Sequence, residues 1–276
     1  MGGSLFRRGR GASRSARALL GAIGLCVVAC TRTYAGAYLY PAGQGQIIVT
    51  TTFTQAGGQF DRSGKFIPTA QFRKLEATAY AEIGVTDWFT AVIKPSITDA
   101  TFPSGSSMVQ ANSTGSEIGG RVRLATWNDL TFALQADGVL PSLNLDHNTA
   151  LLTDASGGAD MRALVGYGFR IGSWPSFVDL DFGYRWHVGN PPSEWRGDLT
   201  LGTRPLPMLL ILLQSFNTIS DGRGLPPFTR YRQNKLQASI VYDLNVWSLQ
   251  LGVLTTIAGA NTPRERGGIA AVWRRF

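Results

Sequence analysis

The stretch Ser176-Phe177-Val178-Asp179-Leu180-Asp181-Phe182-Gly183-Tyr184-Arg185-Trp186-His187-Val188 decides the fold. Side chains along a strand point alternately to opposite faces. Here one face collects Val178, Leu180, Phe182, Tyr184, Trp186 and Val188, and the other collects Asp179, Asp181, Gly183, Arg185 and His187. The same alternation runs through 115–127, where Ile118, Gly120, Val122 and Leu124 oppose Glu117, Gly119, Arg121 and Arg123. It returns in 231–243, where Leu236, Ala238, Ile240 and Tyr242 oppose Lys235, Gln237, Ser239 and Asp243. Each segment is long enough to cross a bilayer as a tilted strand, for which about 9–11 residues suffice.

Working outward, twelve such segments are found: 45–55, 71–84, 88–98, 115–127, 131–141, 159–171, 176–188, 193–203, 207–217, 231–243, 246–257 and 266–276. Tight turns at 85–87, 128–130, 172–175, 204–206 and 244–245 alternate with longer connections at 56–70, 99–114, 142–158, 218–230 and 258–265. The connection at 189–192 is the short exception. Short turns at one end and long loops at the other are the pattern of outer-membrane barrels. Lipid offers the backbone no hydrogen-bond partners, so only helices and closed barrels span it. A soluble sandwich or lipocalin-like barrel also alternates, but its apolar face points inward and it seldom needs twelve long strands. The expected fold is therefore all-β, an antiparallel transmembrane β-barrel of 12 strands, in the outer membrane of a Gram-negative bacterium.

Composition agrees. The chain has 276 residues, 44% hydrophobic and only 16% charged, against about 25% charged in an average soluble domain. Its plentiful aromatics and β-branched residues exclude disorder. The formal charge of +8 first suggests nucleic acid, but Arg7, Arg8, Arg10, Arg14, Arg17 and Arg32 precede any acidic residue. Without residues 1–37 the charge falls to +2, so no nucleic-acid partner is expected.

Residues 1–37 read as a cleaved signal peptide, and 38–276 as the barrel. Arg7 to Arg17 form the basic region, and Ala18 to Ala29 a short apolar core. Ala35-Gly36-Ala37 fits an A-x-A cleavage site, which makes Tyr38 the first mature residue. Val27-Val28-Ala29-Cys30 also resembles a bacterial lipobox, in which Cys30 becomes the lipidation site. Either route exports the chain. Both cysteines, Cys26 and Cys30, lie in this leader, so disulfide chemistry is not expected in the cleaved form.

Tyr38, Tyr40, Trp88, Trp127, Trp174, Trp186, Trp195, Trp247 and Trp273 fall at strand ends or turns, where an interfacial aromatic girdle is expected. Phe276 closes an amphipathic strand and resembles the signal read by the bacterial barrel-assembly machinery, although Arg274 stands where an apolar residue is usual.

A family resemblance rests on two places. Ala37-Tyr38-Leu39-Tyr40-Pro41-Ala42-Gly43-Gln44-Gly45-Gln46 and Ala81-Glu82-Ile83-Gly84-Val85-Thr86-Asp87-Trp88 are similar to motifs of the outer-membrane proteins named after the phenol meta-cleavage (MetA) degradation pathway. The resemblance implies a barrel and suggests uptake of aromatic compounds. It brings no catalytic residues with it.

If the apolar faces meet lipid, the opposite faces line the lumen. The candidate lining residues are Arg121, Arg123, Asp137, Asp160, Arg162, Asp179, Asp181, Arg185 and His187, joined by Lys74, Glu76, Glu82, Lys94, Arg170, Asp198, Lys235 and Asp243. Their signs are mixed, which gives no single-sign ion filter. A wall-bracing salt-bridge network is the plainer reading of Asp160, Arg162, Arg185 and His187, and a substrate site the sharper one. Twelve strands lie between barrels filled by side chains and those holding a wide aqueous channel. Segment 207–217 (PMLLILLQSFN) does not alternate, so leucines enter the lumen whichever face is inward.

Enzyme chemistry has little to stand on. His147 and His187 are the two histidines, with no serine at a phospholipase spacing from His147, and a general base must reach its nucleophile. No catalytic, metal or cofactor residue is expected. Gly166-Tyr167-Gly168 opens no helix and is not a nucleotide loop. The expected function is passive passage of a small molecule of unspecified identity, aromatic or apolar in character. The alternatives are a closed structural or adhesive barrel acting through its external loops, and a lipid-modifying enzyme using His187.

Overall fold

The computed structural model describes residues 36–104, 107–143, 157–226 and 228–276. Cys30, His147 and the leader upstream of Gly36 lie outside the described residues.

Twelve strands close into one antiparallel barrel. They are β1 (Gly45–Phe60), β2 (Phe66–Thr86), β3 (Phe89–Ser104), β4 (Ser107–Trp127), β5 (Leu130–Leu140), β6 (Gly158–Ile171), β7 (Trp174–His187), β8 (Glu194–Leu206), β9 (Leu209–Ser220), β10 (Arg232–Leu244), β11 (Trp247–Ala260) and β12 (Arg266–Arg275). Each pairs with its neighbour in sequence, and β1 also pairs with β12 from Gln46↔Arg275 to Gln55↔Arg266. A two-residue bridge, Thr262–Pro263, adds to the upper end of β1. Closure removes both sheet edges, so the ladder satisfies its own backbone.

The lower end carries the tight turns. Asn128 (φ 54°) and Asn245 (φ 63°) take the left-handed conformation that two-residue hairpin turns require. The upper end is uneven. β1 and β2 continue through 56–70 to a tip at 61–65, and β3 and β4 likewise extend through most of 99–114. These two connections were expected as long loops; they are strand extensions instead. Phe60, Phe66, Ile67, Thr101 and Phe102 suit strand geometry, and the pairing Gln59↔Ile67, Phe60↔Phe66 carries the hairpin past a bulge at Ala56/Gly58.

The apolar faces point outward. Ile47, Phe53, Ile93, Ile118, Leu180, Phe182, Ile240 and Leu251 are all exposed on the outer wall, while Glu82, Arg121, Asp137, Asp160, Asp179 and Arg185 are buried. Trp88, Trp127, Trp174, Trp186, Trp195 and Trp247 are exposed near strand ends, as an interfacial girdle requires. Three expected girdle members are elsewhere. Tyr40 is buried, Tyr38 reaches the Asp129 carbonyl, and Trp273 packs against the buried Phe177, Leu210, Leu212 and Val241. The cause of the first two is a segment that precedes β1 and turns into the barrel.

Candidate functional site: the lumen

Residues 36–44 enter the lumen from the lower end. Pro41 to Gly43 make the bend, with the Gly43 N–H donating to the Gly84 carbonyl (2.8 Å) and the Gly84 N–H to the Gln44 carbonyl (2.9 Å). Gly84 is required by close approach: a Cβ there would lie 2.3 Å from the Pro41 oxygen and 2.4 Å from the Tyr40 oxygen. Gly166 serves the same end on the far wall, where a Cβ would meet Asp179 Oδ1 at 2.7 Å and the Tyr38 ring at 2.8 Å. Between them Ala37 and Leu39 pack on Ala133 and Leu164 as a small buried core inside the barrel. This is ordinary burial of apolar surface, placed where a porin would hold water.

Polar groups pin the segment. Arg121, from β4, donates to the Tyr38 carbonyl (3.4 Å), Glu82 Oε2 (3.3 Å), Tyr80 Oη (3.0 Å) and Gln135 Oε1 (2.8 Å). Gln46 Nε2 and Tyr80 Oη donate to the two Glu82 oxygens at 2.7 and 2.8 Å. Gln135 Nε2 then passes a hydrogen bond to Asp137 Oδ2 at 2.6 Å. Asp179 accepts from the Ala37 N–H at 3.3 Å.

A second network lies higher on the wall. Asp160 holds Arg162 Nε and Arg185 Nε at 2.8 Å each, with Arg196 at 3.5 Å. Arg162 reaches Asp198 (2.9 Å), and Arg185 reaches Glu117 (2.7 Å), which also faces Lys94 (3.5 Å). Arg196 continues to Glu194 (2.9 Å), which accepts from the Tyr231 hydroxyl and stands 3.8 Å from His187 Nε2. Asp160, Arg162, Arg185 and His187 thus meet on β6 and β7, and partners on β4 and β8 join them. Elsewhere Lys74 pairs with Glu76 and Lys235 with Glu265.

Two of the lumen candidates sit at the lower rim. Arg123 donates to the Asp87 carbonyl, and Arg170 to the Ser173 carbonyl at 2.5 Å; both brace turns. Asp181 and Asp179 lie side by side on β7, and each keeps one carboxylate oxygen buried without a hydrogen-bond partner. Asp243, also at this rim, is clamped by Arg204 (2.6 Å), Arg275 (2.5 Å) and Ser248 (2.6 Å).

One part of the wall is greasy. Leu210 and Leu212 point inward from β9, beside Val241 of β10 and Phe177 of β7, and Trp273 of β12 packs against them. Trp273 Nε1 donates to Gln250 Oε1 at 3.0 Å, which satisfies the indole. The leucine run signalled this strip in the sequence. The inward segment before β1 had no periodic signal, because a short irregular stretch has none.

The His187 backbone N–H donates to Ser193 Oγ (3.3 Å), and its ring faces Glu194. Among the described residues no group of three or more His, Cys, Asp or Glu could hold a metal ion.

A closed twelve-stranded cylinder with an apolar outside, an aromatic girdle and an ion-paired inside is an integral barrel of the bacterial outer membrane. Lipid is the solvent of its outer wall. The fold is similar to that of an outer membrane channel from Pseudomonas putida F1, at 12% identity and a TM-score of 0.61, covering 87% of this chain and 98% of that one. It is also similar to the translocator domain of the autotransporter NalP from Neisseria meningitidis, at 13% identity and a TM-score of 0.51, covering 84% and 88%. No protein-family profile matches the chain, and no curated protein does.

Proposed function

We propose that the barrel is a passive channel for small apolar molecules, aromatic compounds among them. The observation that carries this reading is the inward strip of Phe177, Leu210, Leu212, Val241 and Trp273. Unlike the cluster of Ala37, Leu39, Ala133 and Leu164, this strip includes no residue of the inward segment 36–44. Apolar sites lined by aromatics, with a few placed polar groups, suit small apolar ligands. Two further supports are the fold it shares with the Pseudomonas putida F1 outer membrane channel and the resemblance of 37–46 and 81–88 to the phenol meta-cleavage family. The polar lumen groups Arg121, Arg123, Asp137, Asp160, Arg162, Asp179, Asp181, Arg185 and His187 take the role of wall bracing in this reading. Catalysis is assigned to none of them.

The test is conductance of the refolded barrel in a planar bilayer. Steady openings that phenol blocks, with Leu212→Asp weakening the block about tenfold, support the channel. Silence from a folded, heat-modifiable barrel favours a closed structural barrel acting through its upper loops.

A further inference from the structure

The buried carboxylate of Asp179 is an unfinished ion pair. It is 3% exposed, and its hydrogen bond from the Ala37 N–H uses one oxygen while the other has no partner. Asp181 beside it also has a buried oxygen without a partner. Two neighbouring buried acids are costly as carboxylates unless a cation pairs with them, and otherwise keep a proton. The nearby guanidinium of Arg121 is already spent on Glu82, Tyr80, Gln135 and the Tyr38 carbonyl. The backbone nitrogen that does reach Asp179 belongs to the stretch where the sequence reads a cleavage site. Gly36 is pressed against the same side chain, since a Cβ on it would lie 2.7 Å from the Asp179 Cγ.

We propose that leader removal within Gly36–Tyr38 leaves an α-ammonium group on Ala37 or Tyr38 inside the lumen, and that this ammonium pairs with Asp179 to lock the remaining segment up to Gln44 in place. The proposal rests on the leader reading and is independent of the channel reading. Hydrolysis of one peptide bond supplies the charge: water adds across it, the leader leaves with a new carboxylate, and the new amine is protonated at neutral pH. An amide N–H donates one hydrogen bond and carries no charge. An ammonium donates three and carries +1, which suits the free oxygens of Asp179 and Asp181. The precursor and the processed chain therefore hold the segment with different strength.

Three measurements test this. The intact mass of the protein isolated from outer membranes should place the first residue at 37 or 38; a chain beginning elsewhere, or at a lipidated Cys30, overturns the proposal. Barrels refolded from that mature chain, with and without a Gly-Ser-Gly-Ser extension, are then unfolded in urea, each also as Asp179→Asn. The extension should speed unfolding at least tenfold in the native sequence and less than twofold in the Asp179→Asn background. An equal effect in both overturns the ion pair. Should the extended chain not fold, acylation of the α-amine by an amine-selective reagent decides: the native barrel should be labelled at least tenfold more slowly than Asp179→Asn, and equal labelling overturns the proposal.

Discussion

Leu180 stands half-exposed in the middle of β7, with Val165 and Leu199 beside it on the outer wall. Arginine there must carry its charge into hydrocarbon, so Leu180→Arg should cost about 2–4 kcal/mol of barrel stability. Urea unfolding of the barrel refolded into lipid vesicles measures it, and a near-neutral result means the outer face is not in lipid. Arg121 gives the inward counterpart. Arg121→Leu leaves Glu82 buried without its cation and frees the Tyr38 carbonyl, for a loss of about 3–5 kcal/mol in the same assay. Asp61 belongs to the water outside. Its carboxylate accepts from the Ser63 hydroxyl (2.7 Å) and from the N–H groups of Ser63 (2.8 Å) and Lys65 (2.9 Å), and the Ser63 hydroxyl does most to hold its pKa below the ordinary value. A depressed pKa stabilises the folded turn above the unfolded value and loses that contribution as pH falls through the folded one. The β1–β2 tip should therefore fray only below the usual carboxylate range, seen as faster amide exchange at Ser63 and Lys65. Asp61→Asn should weaken the tip at neutral pH and remove this pH dependence.

At the scale of the element, the strands were legible wherever one face is apolar and the other polar. β4, β7 and β10 are written in period two, because lipid on one side and ion pairs on the other impose opposite demands on successive residues. The upper reaches of β1 to β4 were not legible as strands. One face of these extensions is buried, but by small or polar residues such as Ala56, Gly58, Ala100, Ala111 and Ser113, so no apolar–polar alternation is there to read. The lumen candidates follow from parity alone, but their partners do not: nothing in the chain order says that Arg185 meets Glu117. The inward segment 36–44 was visible only as a family-like motif, since its fit depends on Gly84 and Gly166, far away in sequence. That fit makes a prediction. Gly84→Val drives its side chain into the Tyr40 and Pro41 carbonyls while leaving the strand pairing intact. The barrel should still close, and hydrogen exchange at Leu39 should rise to that of a solvent-exposed amide.

For the molecule as a whole, closure is the step that matters. Phe276 donates its N–H to the Gly45 carbonyl (3.0 Å) and accepts from the Gly45 N–H (2.9 Å), so the last residue fastens the lower end of the seam. Deleting it should slow assembly and lower outer-membrane levels several-fold, measured as heat-modifiable barrel after pulse expression. Unchanged levels would leave Phe276 without a part in assembly.

That seam has a consequence for timing. Residues 36–44 run directly into β1, the strand that waits for β12. An enclosed lumen exists only once those two strands have met. The stretch that precedes every strand in the chain thus rests on walls built from β2 and β4 to β7, and the seam between β1 and β12 is what encloses it.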